Sequence, residues 1–438
     1  MVRVKKFIQS FLHNQAVGGI LLMICAVIAL LGANIPQLAP LHELWKTHMG
    51  ITIGSFSLDM SLEHWINDAL MAVFFFVVGL EIKREMLVGE LSSIKQAALP
   101  IFAAVGGMIV PAILYALFNF SSPDSISGWG IPMATDIAFA LGVLSLLGKR
   151  APLGLKVFLT ALAIVDDLGA IIVLAIFYPS HALHFDMMIY AAIVVMFLVA
   201  LNKAKATNVL LYVIPGILLW YFVYMSGIHA TIAGVILALT IPSKTVINEV
   251  RFAVNMKYWI DKFKAAGNSE VEVLANAEQH HIIHQIAKNV DNINPLMHKF
   301  EAALHPWVTF FIMPVFALAN AGVEISGDLF ALPVPTVALG IFFGLLLGKP
   351  IGITLLSFIA VKTGIAELPA GVNWKQVFAL GIIAGIGFTM SIFIDGLAFE
   401  SQNLINIGKV AILGTSLVAA ILGCAAVYFT SPGKKDNQ

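Results

Sequence analysis

Apolar runs separated by short polar connections set the pattern of this chain. A helix of about 20 apolar residues spans the roughly 30 Å hydrocarbon layer of a bilayer. Twelve such segments can be read, at residues 14–34, 64–83, 95–118, 130–147, 153–178, 185–201, 207–224, 227–241, 305–322, 335–361, 376–398 and 406–430. The pattern predicts an all-α polytopic membrane protein with twelve transmembrane helices in one membrane domain over 1–438. The first run, Ala16 to Ala33, is longer than a secretory signal core and ends on no clean cleavage pattern, so a retained first helix is expected.

Two stretches depart from this pattern. In MGITIGSFSLDM, Met49 to Met60, Ile51 and Ile53 alternate on one side of Gly54-Ser55, and Phe56 and Leu58 on the other. That alternation predicts a β-hairpin, either a loop ornament or a dimer contact through an exposed strand edge. The second stretch, Ser243 to Leu304, is polar, with seven basic and seven acidic residues. Val271, Leu274, Ile282, Ile286 and Val290 suggest amphipathic helix there. His280 and His284 stand four apart, but without the Glu of a zinc motif they read as a solvated helix face.

Composition agrees with the membrane class. Of 438 residues, 59% are hydrophobic and 11% charged, with mean hydropathy +0.92; soluble domains have about 25% charged residues. Lys+Arg and Asp+Glu are 25 each, so net charge suggests no nucleic-acid partner. Cys25 and Cys424 both lie in apolar runs and imply neither disulfide nor metal. Basic residues set the orientation. Lys46 is the sole Lys or Arg in the odd-to-even connections, so both termini and the even-to-odd connections are expected in the cytoplasm.

The charges inside the apolar runs carry the chemistry. Asp166 and Asp167 lie at the centre of VFLTALAIVDDLGAIIVLAIF. A carboxylate at mid-membrane depth costs about 2.5–3.5 kcal/mol on insertion scales, so such a pair persists only if it binds something; protons and small hard cations are the candidates. Asp136 lies in the fourth run and Lys349 in the tenth. Glu81 stands near the cytoplasmic end of the second with Arg84 and Glu85, His229 at the outer start of the eighth, and Glu301 at the cytoplasmic start of the ninth. Glu81, Arg84 and Glu85 can equally be a paired, solvated helix end.

Two runs look interrupted. The fourth holds Pro132, Thr135 and Asp136, and the eleventh holds Gly381, Gly385 and Gly387. Ordinary kinks are one reading. The other is that spans 3–5 and 10–12 are inverted repeats with broken middle helices, which in transporters mark the binding site. Broken helices leave partly positive and partly negative ends inside the membrane. Asp136 can compensate the former and Lys349 the latter. Asp136 can be purely structural or can bind the ion; Lys349 can pair with Asp166.

IVDDLGAI, ATDIAFALG, GIGFTMSIFI, GLEIKRE, LGKPIGI and LHPWVTFFIMPVFALANAGV together closely resemble the NhaA-type bacterial sodium/proton antiporters. The rule about paired broken helices was itself drawn in part from this family, so the two arguments are not independent. The resemblance covers nearly the whole chain outside Ser243 to Lys299. It implies twelve helices, two crossed unwound helices, a cytoplasm-facing funnel, and electrogenic exchange of internal Na+ or Li+ for external H+ in the bacterial inner membrane, serving pH homeostasis and salt tolerance. It implies Asp167 as the central cation ligand, Asp166 as the second carboxylate paired with Lys349, and Thr135 and Asp136 at the unwound fourth-helix position. It further implies a pH response involving Glu81, His229 and Glu301, with Arg84 and Glu85 beside them, and a homodimer through Met49 to Met60. No cofactor is implied: Na+, Li+ and H+ are transported. The chain departs from the family in its long link between spans eight and nine.

Three other classes fit less well. An intramembrane aspartyl protease needs a GxGD-like Asp on a separate helix, which is missing. A prenyltransferase needs paired aspartate-rich motifs for Mg2+ and diphosphate, and DDLGA lacks the further acids. A channel would conduct without proton exchange.

Overall fold

The computed structural model describes residues 15–53, 56–179, 183–267, 276–324 and 333–431. In chain order the helices are α1 (Gln15–Asn34), α2 (Leu62–Val88), α3 (Ile94–Asn119), α4 (Pro123–Met133), α5 (Ile137–Leu146), α6 (Leu153–Phe177), α7 (Phe185–Lys203), α8 (Leu210–Met225) and α9 (Ile232–Thr240). They continue with α10 (Glu249–Ala265), α11 (Ala277–Ile293), α12 (Leu296–Asn320), α13 (Thr336–Lys362), α14 (Trp374–Ala384), α15 (Phe388–Ala398) and α16 (Gln402–Thr430). Among the described residues eight helices are long and apolar enough to cross a membrane, and ten spans result if α4–α5 and α14–α15 each count as one. The protein is therefore a multi-pass membrane protein.

The helix boundaries correct the sequence reading in two places. The expected span at 227–241 is helical only over the nine residues of α9, because Gly227 adopts a left-handed φ of +84° and turns the chain ahead of it. The ninth segment starts at Leu296 rather than 305, directly after Pro295, whose ring suits a helix start; Glu301 thus lies in its second turn. The polar insertion, expected to hold amphipathic helix, is a pair of helices, α10 and α11, antiparallel, joined by Asn255–Asn289 at 2.9 Å and Gln279 to the Phe263 carbonyl at 3.2 Å. Ile282 is buried between them, but Val290 is exposed. Val271 and Leu274 lie outside the described residues, and His280, His281 and His284 all face outward.

Strands β1 (His48–Ile53) and β2 (Phe56–Ser61) pair antiparallel, with Ile51 opposite Leu58 and Ile53 opposite Phe56. The expected hairpin is present; its Gly54-Ser55 turn lies outside the described residues.

Packing brings the charged residues together. Buried apolar side chains form two groups, and α2 serves both, Phe75 in one and Phe76 and Leu80 in the other. Gly106 of α3 and Gly352 of α13 touch main chain to main chain: a methyl on either would overlap the other's carbonyl oxygen. Small residues of this kind let membrane helices approach closely. The contact holds Lys349, three residues before Gly352, deep between the helices. Just before Lys349, Gly344–Gly348 widens into a π-helical turn. Pro350 follows and has no N–H for the usual bond to the preceding turn, which favours this local widening.

Candidate functional site

Two broken helices meet at their breaks. α4 and α5 are bent by 47°, α14 and α15 by 51°. Asp136 N–H donates to the Ile386 carbonyl at 2.7 Å, and the Thr135 hydroxyl donates to the Ala384 carbonyl at 2.9 Å, so each break satisfies main-chain groups the other leaves open. Asp136 is the N-cap of α5, accepting from Phe139 N–H at 2.9 Å. The same carboxylate accepts from the N–H of Thr389, in the first turn of α15, at 3.2 Å and from the Thr389 hydroxyl. One negative charge thus sits on two partly positive helix ends.

The interruption in the second pair differs in detail from the expected one. Gly385 and Gly387 flank the break, whereas Gly381 is helical and admits Pro350 of α13 against its main chain. Pro132 lies in the 3-10 turn before the first break, packed against Gly344.

Lys349 reaches this crossing from α13. Its ammonium donates to Asp166 Oδ2 at 2.6 Å and to the Thr135 hydroxyl at 2.8 Å, and is fully buried. Thr135 therefore links the lysine's ammonium to the carbonyl end of α14 through its hydroxyl. Asp166 Oδ1 is buried without a hydrogen bond. Asp167, rotated about 100° round the helix, is 2% exposed and makes no hydrogen bond among the described residues. The charges acting on it are those of Asp166, Asp136, Glu81 and Lys349. A carboxylate left without donors in a buried site has oxygens free to take up a proton or a small hard cation.

A family model described as Na+/H+ antiporter 1 matches residues 9–427. The chain belongs to this family. Curated relatives agree. The Na(+)/H(+) antiporter NhaA of Wolinella succinogenes is 49% identical over 435 residues, covering 99% of this chain and 96% of the relative. The NhaA of Oleidesulfovibrio alaskensis is 49% identical over 416 residues, 95% and 92% of the two chains. The NhaA 2 of Helicobacter hepaticus is 44% identical over 423 residues, 96% and 95%. This is a family of transporters, not of enzymes.

In this antiporter-family chain the structure gathers Glu81, Arg84, Glu85 and Glu301 where α2 and α12 adjoin, and leaves His229 apart from them. Arg84 pairs with Glu301 and, at 3.2 Å, with Glu85. Glu81 feels the charges of Glu301, Arg84 and Glu85. Glu301 Oε2 is buried without a hydrogen bond. Neighbouring Lys83 instead caps α9, donating to the Leu239 carbonyl at 2.7 Å. His229 is buried just ahead of the opposite end of that helix.

Sequence reasoning missed further buried polar residues on α15 and α16: Thr389, Ser391, Asp395, Lys409, Thr415 and Ser416. Asp395 directly follows the apolar string GIGFTMSIFI, and a charge at that depth is itself the signal.

Proposed function

We propose that the chain exports cytoplasmic Na+, and Li+, in exchange for external H+ across the bacterial inner membrane, with protons and cation competing for Asp166 and Asp167. The observation that carries this is the donor-poor Asp167 beside the buried Lys349–Asp166 pair at the crossing of two broken helices, in a chain whose relatives are Na+/H+ antiporters. Na+ is a hard ion and takes oxygen ligands; the two carboxylates, the Thr135 hydroxyl, Asp136 and nearby carbonyls are the oxygens within this region. A proton on Asp167 removes the charge that attracts Na+, and Na+ binding displaces the proton. The site changes its open side when loaded with either, and not when empty and charged. Sodium-driven proton movement in everted vesicles, scanned over Na+, Li+ and K+, tests this. Cation-driven conductance without proton movement would favour a channel instead.

The same reading takes α8 and α9 as two further crossings, for twelve in all. It relates spans 3–5 (α3 to α6) and 10–12 (α13 to α16) as inverted repeats. The hairpin faces outward, and both termini and the 243–304 insertion face the cytoplasm, in keeping with the basic residues on that side. Exchange is electrogenic, with more protons entering than cations leaving, so that a potential of 100 mV adds about 2.3 kcal/mol per net charge. Glu81, Arg84, Glu85 and Glu301 form a charge cluster on the cytoplasmic side that adjusts the response to pH, with His229 acting at the far end of α9.

Two copies associate through the β1–β2 hairpin, whose strands pair only with each other among the described residues. Deleting residues 49–60 is expected to convert a dimer to a monomer in detergent, read by light scattering, with exchange retained. A dimer of unchanged mass after the deletion would remove this role.

A further inference from the structure

A second buried charge lies off the main site. Asp395 of α15 is fully buried, and neither of its carboxylate oxygens has a hydrogen-bond partner. It packs against the main chain of α16 at Gly408, where a methyl would overlap its Oδ1. The facing charge is Lys409, 6% exposed, yet no ion pair within 4.0 Å joins the two. Lys409 is also acted on by Glu63, the second residue after β2 and partly exposed at the hairpin side. From α3, Tyr115 feels Asp395, with Tyr178 behind it, but the Tyr115 hydroxyl is spent on the Ser125 carbonyl at 2.7 Å.

Polar side chains on α15 lead from Asp395 toward the crossing. Ser391 lies one turn from Asp395 toward the break and donates to the Ile131 carbonyl of α4 at 2.9 Å. Thr389, just beyond, donates to Asp136. Buried polar side chains on α15 (Asp395, Ser391 and Thr389) therefore lie between the hairpin-side end of that helix and the crossing, with Lys409 next to Gly408 at the α16 contact. A carboxylate with no donor and no contact ion pair is poorly suited to holding helices together. It is well suited to taking up and releasing a proton.

We propose that Asp395, flanked by Lys409 at the α15–α16 contact, is a proton way-station through which protons from the hairpin side reach the crossing. This rests on the antiport reading above. The test uses the full chain reconstituted in vesicles, with saturating Na+ and fixed pH on the opposite side and varied pH on the hairpin side. Asp395→Asn is expected to slow exchange about tenfold at mildly alkaline hairpin-side pH, with the deficit shrinking toward acid. The apparent KM for Na+ stays within twofold, and Asp395→Glu restores the profile. A wild-type profile in Asp395→Asn overturns the proposal, as does a uniform loss that Asp395→Glu does not rescue.

Labelling of the unmutated chain with dicyclohexylcarbodiimide, read by mass spectrometry, covers the case in which Asp395→Asn does not fold. Modification of Asp395 that declines as hairpin-side pH rises supports the proposal; no modification at any pH, or modification blind to that side, overturns it. PH-dependent labelling in an unmutated chain that exchanges no Na+ would count against the antiport reading while upholding the way-station.

Discussion

Asp167→Asn is expected to abolish sodium-driven proton movement, by at least about 100-fold, while leaving the fold intact. Asn has the same shape but neither binds a proton nor supplies the charge that holds Na+. Each tenfold loss corresponds to about 1.4 kcal/mol, and removing a charged ligand from a low-dielectric site is worth several such steps. The effect on stability goes the other way. Asp167 makes no hydrogen bond among the described residues, so the substitution deletes a buried charge without breaking a hydrogen bond. Melting temperature should stay level or rise. Activity within tenfold of the unmutated chain, at any pH, would contradict the role given to Asp167.

Lys349→Ala acts on both activity and folding. It leaves the Asp166 carboxylate and the Thr135 hydroxyl, now bonded at 2.6 and 2.8 Å, without their common donor. Removing one partner of a buried pair costs about 3–5 kcal/mol, which should appear as a clear fall in melting temperature in detergent. A proton on Asp166 can stand in for the missing ammonium. The variant's folded state then holds a proton on Asp166 that its own unfolded chain gives up near neutral pH, so the linkage makes its instability grow as pH rises and shrink in acid. Adding Asp166→Asn removes the stranded charge and should recover most of the stability but not the exchange. If the single variant melts like the unmutated chain at alkaline pH, the pair does not hold this part of the structure together.

The signals differ in how far they can be seen along the chain. Asp166-Asp167 stand out because a charge at the middle of a 21-residue apolar run has no bland explanation. The hairpin is legible because Ile51, Ile53, Phe56 and Leu58 alternate about a short turn, and their register follows from that alternation. The breaks are visible as Thr135-Asp136 and the glycine string. What joins them is not: Asp136 accepting from Thr389, or Thr135 bridging Lys349 and Ala384, links residues about 250 positions apart. Gly381 looks like part of a break and is a packing glycine, because sequence does not show that Pro350 of another helix lies against it. The turn at Gly227 ahead of the short α9 depends on a left-handed conformation that local hydropathy does not report. Asp395 and Lys409 are intramembrane charges like the others, but no motif marks them, and only the fold brings both to the contact of α15 with α16 at Gly408.

The most direct measurement is proton release on Na+ binding to the purified protein, followed in weakly buffered detergent solution across neutral and mildly alkaline pH. Where the carboxyls hold protons, each Na+ bound should expel at least one. The release should fall away and the Na+ affinity level off as rising pH empties the site. Saturable Na+ binding with no proton release anywhere in that range, and with an affinity indifferent to pH, would contradict competition for Asp166 and Asp167.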